Sequence, residues 1–259
     1  MVFHIGVYAQ QSGINLEFSL PIKAHYVAFD NLGYFYVANH DELSKYDLKG
    51  EFLLRESNKV LGDITTVDVT NPLKILVFYK DFGQIVFADT KLAARSQPLR
   101  LNEYGFVQSI SACTSYDNGF WVFDQVTFQL TRLDRNFNVV NQTSNLQQVL
   151  GQELNPNYMR EQGNWLYVNN PETGILVFDI YGTYYKTIPF KHLEKFSIYS
   201  NYLYVLEKGA LLQYNLKTAT TRTILLPEIK VNSFSVYENH LLLAGAKQLS
   251  LYRLILDKN

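Results

Sequence analysis

Six copies of a short pattern divide this 259-residue chain into units of similar length. The pattern is any residue, Leu or Ile, two further residues, an apolar or aromatic residue, and then a polar residue. The copies occupy residues 42–47, 84–89, 129–134, 174–179, 210–215 and 248–253, so that successive copies end 36 to 45 residues apart. A period near 40 residues indicates a repeat architecture, in which each unit buries its apolar surface against the next unit.

Each unit contains four short apolar runs rather than one. A run rich in aromatic residues precedes every copy, at residues 33–38, 73–79, 119–123, 164–168, 201–206 and 240–244. A further run lies ahead of it, for example at 64–69 or 109–112, and another follows the copy, as at 51–54 or 221–226. Runs of this length and composition, separated by Gly, Asn, Asp and Pro, predict β-strands. The one helical candidate is residues 145–153, which we interpret as a short helix or a loop.

The two ends of the chain predict how the units are arranged. Residues 15–20 are similar to a fourth strand with no first three strands before it, whereas the sixth unit ends soon after its third strand, at Leu254 or Leu256. An N-terminal strand that completes the C-terminal unit would close a ring and remove exposed sheet edges. We therefore predict an all-β fold, a six-bladed β-propeller of four-stranded antiparallel blades, with residues 11–259 as a single domain.

One segment carries a family resemblance. Residues 27–53 resemble repeats of the NHL and related periplasmic propeller families, with Asp30, Gly33, Tyr46, Asp47 and Gly50 at the matching positions. Five of the six units lack either the first Asp or the second Gly of that repeat. The resemblance therefore implies the architecture and carries no functional motif, because such propellers include binding scaffolds, lyases and hydrolases.

Charge and motif content exclude several functions. The formal net charge is -1, with 23 basic and 24 acidic residues, so no overall field favours nucleic acid. No stretch after the N-terminus approaches the roughly 18 apolar residues of a membrane span. The single cysteine, Cys113, excludes an internal disulfide and is predicted to be buried. P-loop, dinucleotide-binding, nucleophile-elbow and HExxH motifs are absent, so no cofactor, metal ligand or catalytic residue is predicted.

The first residues bear on cell location. Residues 1–10 are apolar and end in Val7-Tyr8-Ala9, which satisfies the small-x-small rule for signal peptidase cleavage. The stretch is short and lacks a basic beginning. We interpret it as the remnant of a signal peptide, which predicts a periplasmic or secreted protein. The alternative is an ordinary N-terminal strand in a cytoplasmic protein.

Propeller topology predicts where a ligand would bind. Loops that join the fourth strand of one blade to the next blade, and loops between second and third strands, share one face. The candidate binding residues in these loops are Lys23, His25, His40, Asp41, Lys191, His192 and Lys230. Lysines recur after Pro21, Pro189 and Pro227, which suits an anionic group or an acidic partner, although lysine is also the ordinary solubilising residue of such loops.

Three functions remain open at this level. The leading hypothesis is a noncatalytic scaffold of the periplasm or cell envelope that binds a protein partner through one propeller face. The second is a small-molecule or metal-dependent hydrolase or lyase, which requires histidines and carboxylates that converge at the channel mouth. The third is a carbohydrate-binding module, which requires exposed aromatic rings along a groove. Tyr181 and one of Tyr184 or Tyr185 are predicted to be exposed, and Trp121 and Trp165 are predicted to be core residues.

Overall fold

The computed structural model describes residues 13–255, so the proposed signal remnant at residues 1–10 lies outside the described residues. Within the described range the chain forms 24 β-strands and one short α-helix, α1 (Leu146–Leu150). The first eight strands are β1 (Ile14–Leu20), β2 (Tyr26–Phe29), β3 (Phe35–Asn39), β4 (Glu42–Tyr46), β5 (Phe52–Ser57), β6 (Thr66–Asp68), β7 (Ile75–Tyr79) and β8 (Gln84–Ala88). The next eight are β9 (Leu99–Arg100), β10 (Ser109–Thr114), β11 (Phe120–Asp124), β12 (Gln129–Leu133), β13 (Val139–Gln142), β14 (Tyr158–Gln162), β15 (Trp165–Asn170) and β16 (Gly174–Asp179). The last eight are β17 (Tyr184–Ile188), β18 (Ser197–Tyr199), β19 (Tyr202–Glu207), β20 (Ala210–Asn215), β21 (Thr221–Leu225), β22 (Val231–Tyr237), β23 (His240–Gly245) and β24 (Leu249–Leu254).

The strands assemble into six four-stranded antiparallel sheets, or blades. Blades 1 to 5 each contain four consecutive strands, from β2-β3-β4-β5 to β18-β19-β20-β21, and blade 6 has the order β22-β23-β24-β1. The first strands of the blades face one another: β2 contacts β6 and β22, β10 contacts β14, and β18 contacts β22. The blades therefore stand in a ring around an axis lined by first strands, and the prediction of a six-bladed β-propeller is confirmed.

Strand β1 closes the ring as the two chain ends predict. It pairs antiparallel with β24, with Ile14 opposite Leu254 and Leu20 opposite Leu249. The Glu17 carboxylate accepts a 2.6 Å hydrogen bond from Arg253, and the hydroxyls of Ser19 and Ser250 lie 2.8 Å apart. This pairing satisfies the outer edge of β24, which would otherwise expose unpaired backbone groups.

The core lies between blades, because both faces of each sheet are covered. Every residue of β7 and β11 is buried, which explains their nearly continuous apolar runs, and in β10 the hydroxyl-bearing residues Ser109, Ser111 and Thr114 are buried as well. The fourth strands form the rim and are mostly exposed, as in β5 and β13. The indole of Trp121 and the ring of Phe178 pack together in the core of blades 3 and 4. Burying a large apolar side chain fully contributes roughly 1.5–3 kcal/mol.

The polar residue that ends the repeated pattern has a structural role. The Asp47 carboxylate accepts hydrogen bonds from the amides of Lys49 and Glu51 and so holds the loop between third and fourth strands. The residues in the same role in later blades are Asp89, Asp134, Asp179 and Asn215. Asx turns of this kind explain why an Asp or Asn ends the repeated pattern in these blades.

Side chains of one blade satisfy the free backbone groups of the next. The amides of Val27 and Phe29 in β2 donate to the hydroxyls of Ser233 and Ser235 in β22, at 3.1 and 3.0 Å. The amide of Val236 donates in turn to the hydroxyl of Ser197. First strands have one sheet neighbour each, so these hydroxyls supply partners that a lone strand edge would lack.

Two smaller predictions are also settled. Helix α1 lies within residues 145–153, where the Asn145 side chain caps it by accepting from the amide of Gln148. Cys113 is fully buried, and burial raises the pKa of its thiol well above the ordinary value. No helix in the described part of the chain has the length and apolar character needed to cross a membrane.

Candidate functional site

The alternating strand directions give the ring two faces. We call the face that holds the loops between blades and the loops between second and third strands the upper face. The lower face holds the loops between first and second strands and between third and fourth strands. All seven candidate binding residues lie in upper-face loops: Lys23 and His25 before β2, His40 and Asp41 between β3 and β4, Lys191 and His192 before β18, and Lys230 before β22.

Three of the seven candidates form a cluster. The amide of His40 donates to His25 Nδ1 at 3.3 Å, and the two imidazole centroids lie 6.5 Å apart. His40 Nδ1 lies 3.0 Å from the Asp63 carboxylate, in a pair that is largely exposed. The Asp41 carboxylate accepts a 2.5 Å hydrogen bond from the Ser57 hydroxyl, which lowers its pKa. The cluster joins the upper-face loops of blade 1 to residues 58–65, the connection to blade 2.

The other four candidates do not join that cluster. Lys23, Lys191, His192 and Lys230 are exposed, and the structure gives no side-chain contact between any two of them within the described residues. His192 is held by its backbone, since its amide donates to the carbonyl of Pro171 at 2.7 Å. The binding role of all seven residues stays a prediction.

The lysines of this face stand beside acidic residues. Lys208 lies 3.5 Å from the Glu207 carboxylate, Asp81 follows Lys80 directly, and Glu228 lies two residues before Lys230. Exposed pairs of this kind are worth about 0–1 kcal/mol each and cancel one another's field at a distance. The upper face is therefore mixed in charge, which weakens the case for a purely acidic partner.

The axial channel is filled near the upper face. The Lys195 ammonium is buried, donates to the carbonyl of Val27 at 2.7 Å, and lies 3.9 Å from the ring centroid of Tyr26 and 5.6 Å from that of Tyr158. Burial, and then the nearby Arg160 guanidinium, lower the pKa of Lys195 well below its ordinary value. The Tyr26 hydroxyl donates to the carbonyl of Val67 in the first strand of the neighbouring blade 2 at 2.9 Å.

The lower end of the channel is a depression of 160 Å³ that includes Arg160, Thr70 and Tyr237. Among residues 13–255, no group of three or more His, Cys, Asp or Glu side chains is placed to hold a metal ion. The described residues therefore include no metal-binding cluster of the kind that the metal-dependent form of the enzyme hypothesis requires.

The sequence did not reveal the apolar surface of the upper face. Five side chains there expose more than half of their area, and Val60 is 84% exposed. We call this set the upper-face patch; it consists of Val60, Phe82, Val107, Val126 and Val149. In the sequence, the patch could be recognised only from apolar residues that fall in predicted loops instead of predicted strands. This evidence is weak, because single exposed apolar residues are common on protein surfaces.

Contacts between neighbouring upper-face loops connect parts of the patch. The Asp124 carboxylate accepts hydrogen bonds from the amide of Val107 at 2.7 Å and from the amide of Val126 at 3.0 Å, so these two valines lie on neighbouring loops. The Phe82 ring covers Gly62, where an added Cβ would lie 2.8 Å from Phe82 Cε2. Val60 lies two residues before Gly62, in the loop that the Phe82 ring contacts.

The aromatic predictions have mixed outcomes. Tyr181 and Tyr185 are exposed as predicted, and Tyr184 is exposed as well. Trp121 is a core residue as predicted, whereas Trp165 packs against the core without being fully buried, so the prediction for Trp165 is only partly confirmed. Trp165 is only partly buried because the gap between blades 4 and 5 stays open on the lower face beside its ring.

Comparison with solved structures agrees with this architecture. The WD40 domain of Neurospora crassa Pan2 superposes with a TM-score of 0.65 at 8% identity, over 92% of this chain and 90% of that one. A streptogramin B lyase superposes with a TM-score of 0.64 at 11% sequence identity, over 93% of this chain and 98% of the lyase chain. The chain has the β-propeller fold. A chain of the Mitotic Checkpoint Complex superposes with a TM-score of 0.61 at 11% sequence identity, over 98% of this chain and 96% of that one.

These identities show the fold alone. No protein-family model and no curated protein matches the chain. A WD40 domain and a lyase both share this propeller's architecture, so the fold does not choose between a binding module and an enzyme. The function has to be argued from the surfaces of this propeller.

Proposed function

We propose that this β-propeller is a noncatalytic binding protein that holds a protein partner on its upper face. The observation that carries the proposal is the upper-face patch, five exposed apolar side chains on loops of blades 1 to 3 and on α1. Exposed apolar side chains gathered on the loops of one face are typical of interaction sites.

The partner that this surface fits contributes apolar side chains at its centre. Burying the patch removes apolar area from water, at roughly 25 cal/mol per Å². The cluster of His25, His40 and Asp41 lies in the adjoining loops and supplies hydrogen-bonding groups at the rim, where protein interfaces are usually polar. Because lysines and acidic residues alternate on this face, net charge contributes little to the choice of partner.

The patch is also pre-organised. The Asp124 carboxylate accepts four backbone amides, from Val107, Gln108, Val126 and Thr127, and so holds two loops in one geometry before any partner arrives. Loops that are already ordered lose less conformational entropy on binding.

The cell location that we propose is the periplasm or the cell envelope. It is supported by the apolar residues 1–10 and their small-x-small ending at Val7-Tyr8-Ala9. Osmotic-shock fractionation of the native cells tests it. Recovery of the protein in the cytoplasmic fraction alone would refute this location and leave the binding proposal standing.

Paired surface variants test the binding role. The upper-face variant carries Val60→Ser and Val107→Ser, and the matched control carries Leu32→Ser and Tyr181→Ser on the lower face. All four residues are more than 60% exposed, so both variants should keep the wild-type melting temperature. Each tagged protein is used to recover partners from native extracts, and the recovered proteins are quantified by mass spectrometry.

The expected result is a protein that the wild type and the lower-face control retain in similar amounts and that the upper-face variant loses. Retention of the same protein by all three forms would show that the upper face is not the contact. Recovery of no protein above background by the wild type would count against a scaffold role altogether.

A further inference from the structure

A groove of 450 Å³ runs between blades 4 and 5 on the lower face, away from the upper-face patch. Strands β15 and β17 supply one wall, and the loops around Asn201 and Lys217 supply the other. Its volume is in the range of small-ligand sites, about 300–1,000 Å³. The proposal for the upper face does not involve this groove, so each proposal can be tested independently of the other.

Two aromatic rings line the groove. The indole of Trp165 and the ring of Tyr185 lie with centroids 4.8 Å apart at an interplanar angle of 37°. Trp121, in the second strand of blade 3, is instead fully buried and donates its indole N–H to Glu161. Trp165 makes no such bond within the described residues. An indole with a free N–H beside a 61% exposed tyrosine is an amphipathic surface that can stack on one ligand face and hydrogen-bond its edge.

Amide side chains surround the rings. Gln162, Asn164 and Asn201 line the groove, and the structure assigns no hydrogen bond to the side chain of any of them among residues 13–255. Each amide offers both donors and an acceptor. Apolar ring faces flanked by paired donors and acceptors match a sugar ring, whose C–H face is apolar and whose edge carries hydroxyl groups.

Two lysines determine the charge of the groove. Lys186 and Lys217 line it, and no Asp or Glu does so among the described residues. The Lys186 ammonium lies 5.6 Å from the ring centroid of Tyr185, so positive charge stands directly beside the aromatic surface. Two cations with no carboxylate on the lining favour a ligand that carries negative charge.

We infer that the groove between blades 4 and 5 binds a saccharide that carries an acidic group. Trp165 and Tyr185 stack on the sugar ring, the three amides bind hydroxyl groups, and Lys186 and Lys217 contact the acidic group. A single-stranded nucleic acid would also use aromatic rings and lysines, but it requires a longer basic track than two lysines supply. The free amides favour the saccharide.

Tryptophan fluorescence gives a direct test, because Trp121 is shielded from solvent and Trp165 is the only other tryptophan in the chain. Acrylamide quenching is measured with and without trigalacturonic acid and a hyaluronan tetrasaccharide as acidic probes, with maltotriose and chitotriose as neutral probes, and with a dT10 oligonucleotide. Affinities are then measured by calorimetry. We expect an acidic saccharide to protect Trp165 from quenching and to bind at least about tenfold more tightly than the neutral ones.

Variants separate the parts of the proposal. Trp165→Ala should weaken binding about tenfold or more, Trp165→Phe should restore most of it, and Tyr181→Ala, outside the groove, should have no effect. The pair Lys186→Gln and Lys217→Gln leaves the core untouched and should abolish the preference for acidic probes. The proposal is overturned if no acidic probe protects Trp165, if dT10 binds in their place, or if the lysine variants keep the acidic preference.

Discussion

Asp124 offers the sharpest test of how the upper face is built. It ends β11, is 2% exposed, and its two carboxylate oxygens accept from four amides. One oxygen accepts from Val107 at 2.7 Å and Gln108 at 2.8 Å, and the other accepts from Val126 and Thr127, each at 3.0 Å. The substitution Asp124→Asn keeps the shape of the side chain but replaces one acceptor oxygen with an NH2 group.

The magnitude follows from these contacts. Whichever way the amide turns, two backbone N–H groups lose their acceptor and face a donor instead. Hydrogen bonds to a charged acceptor contribute about 1.5–3 kcal/mol each. We therefore expect Asp124→Asn to lower the free energy of unfolding by about 3–6 kcal/mol. For a protein of this size, that corresponds to a melting temperature lower by roughly 6–24 °C.

Calorimetry and urea unfolding measure this change, with Trp121 in β11 as a fluorescent probe of the same blade. The matched control is Asp81→Asn, on the equivalent loop of blade 2, where the carboxylate is exposed and the structure gives it no hydrogen bond among the described residues. The control should stay within about 0.5 kcal/mol of the wild type. If Asp124→Asn unfolds at the same urea midpoint as Asp81→Asn, the carboxylate does not organise these loops and the reasoning fails.

Three further predictions concern the channel, a turn and the cysteine. Because burial lowers the pKa of Lys195 in the folded state, Lys195 binds fewer protons there than in the unfolded chain, so its contribution to wild-type stability should rise as the pH increases toward about 10.4. Lys195→Met should lack this rise in urea midpoints, and parallel pH profiles would contradict it. Gly50→Ala should lower the melting temperature by about 4–8 °C, because φ is +82° and the new Cβ would lie 2.9 Å from the Phe18 ring; an unchanged scan would argue against that contact. Cys113 should react with Ellman's reagent only after urea unfolding, and rapid labelling of the native protein would show that the thiol is accessible.

The strands and the ring closure could be predicted because their determinants are local. The repeated pattern coincides with third strands such as β4 (Glu42–Tyr46) and β12 (Gln129–Leu133), and its last residue forms a turn within four residues of itself. The closure of blade 6 by β1 follows from counting strands at the two ends. The strand and turn predictions use residues that are close together in the chain. The closure prediction uses one extra strand at the N-terminal end and one missing strand in the C-terminal blade.

The positions of Lys195 and Trp165 could not be predicted in this way. Lys195 follows the exposed Lys191 in a loop, yet its ammonium enters the channel because Tyr26 and the carbonyl of Val27, about 170 residues away, provide a place for it. Trp165 begins β15 opposite Asp179, whereas Trp121 lies inside β11 opposite Arg132, two repeat positions further from the lower face, and only Trp165 lines a groove.

The sequence by itself determined the all-β class, the six four-stranded units and the order in which they close, because strand periodicity, turns and repeat length are properties of neighbouring residues. Tertiary structure alone decided which surfaces are open. The upper-face patch depends on how Asp124 draws two loops together, and the groove depends on the distance between β17 and the loop at Lys217. Gaps between blades are set by side chains far apart in the chain, and no local pattern records them.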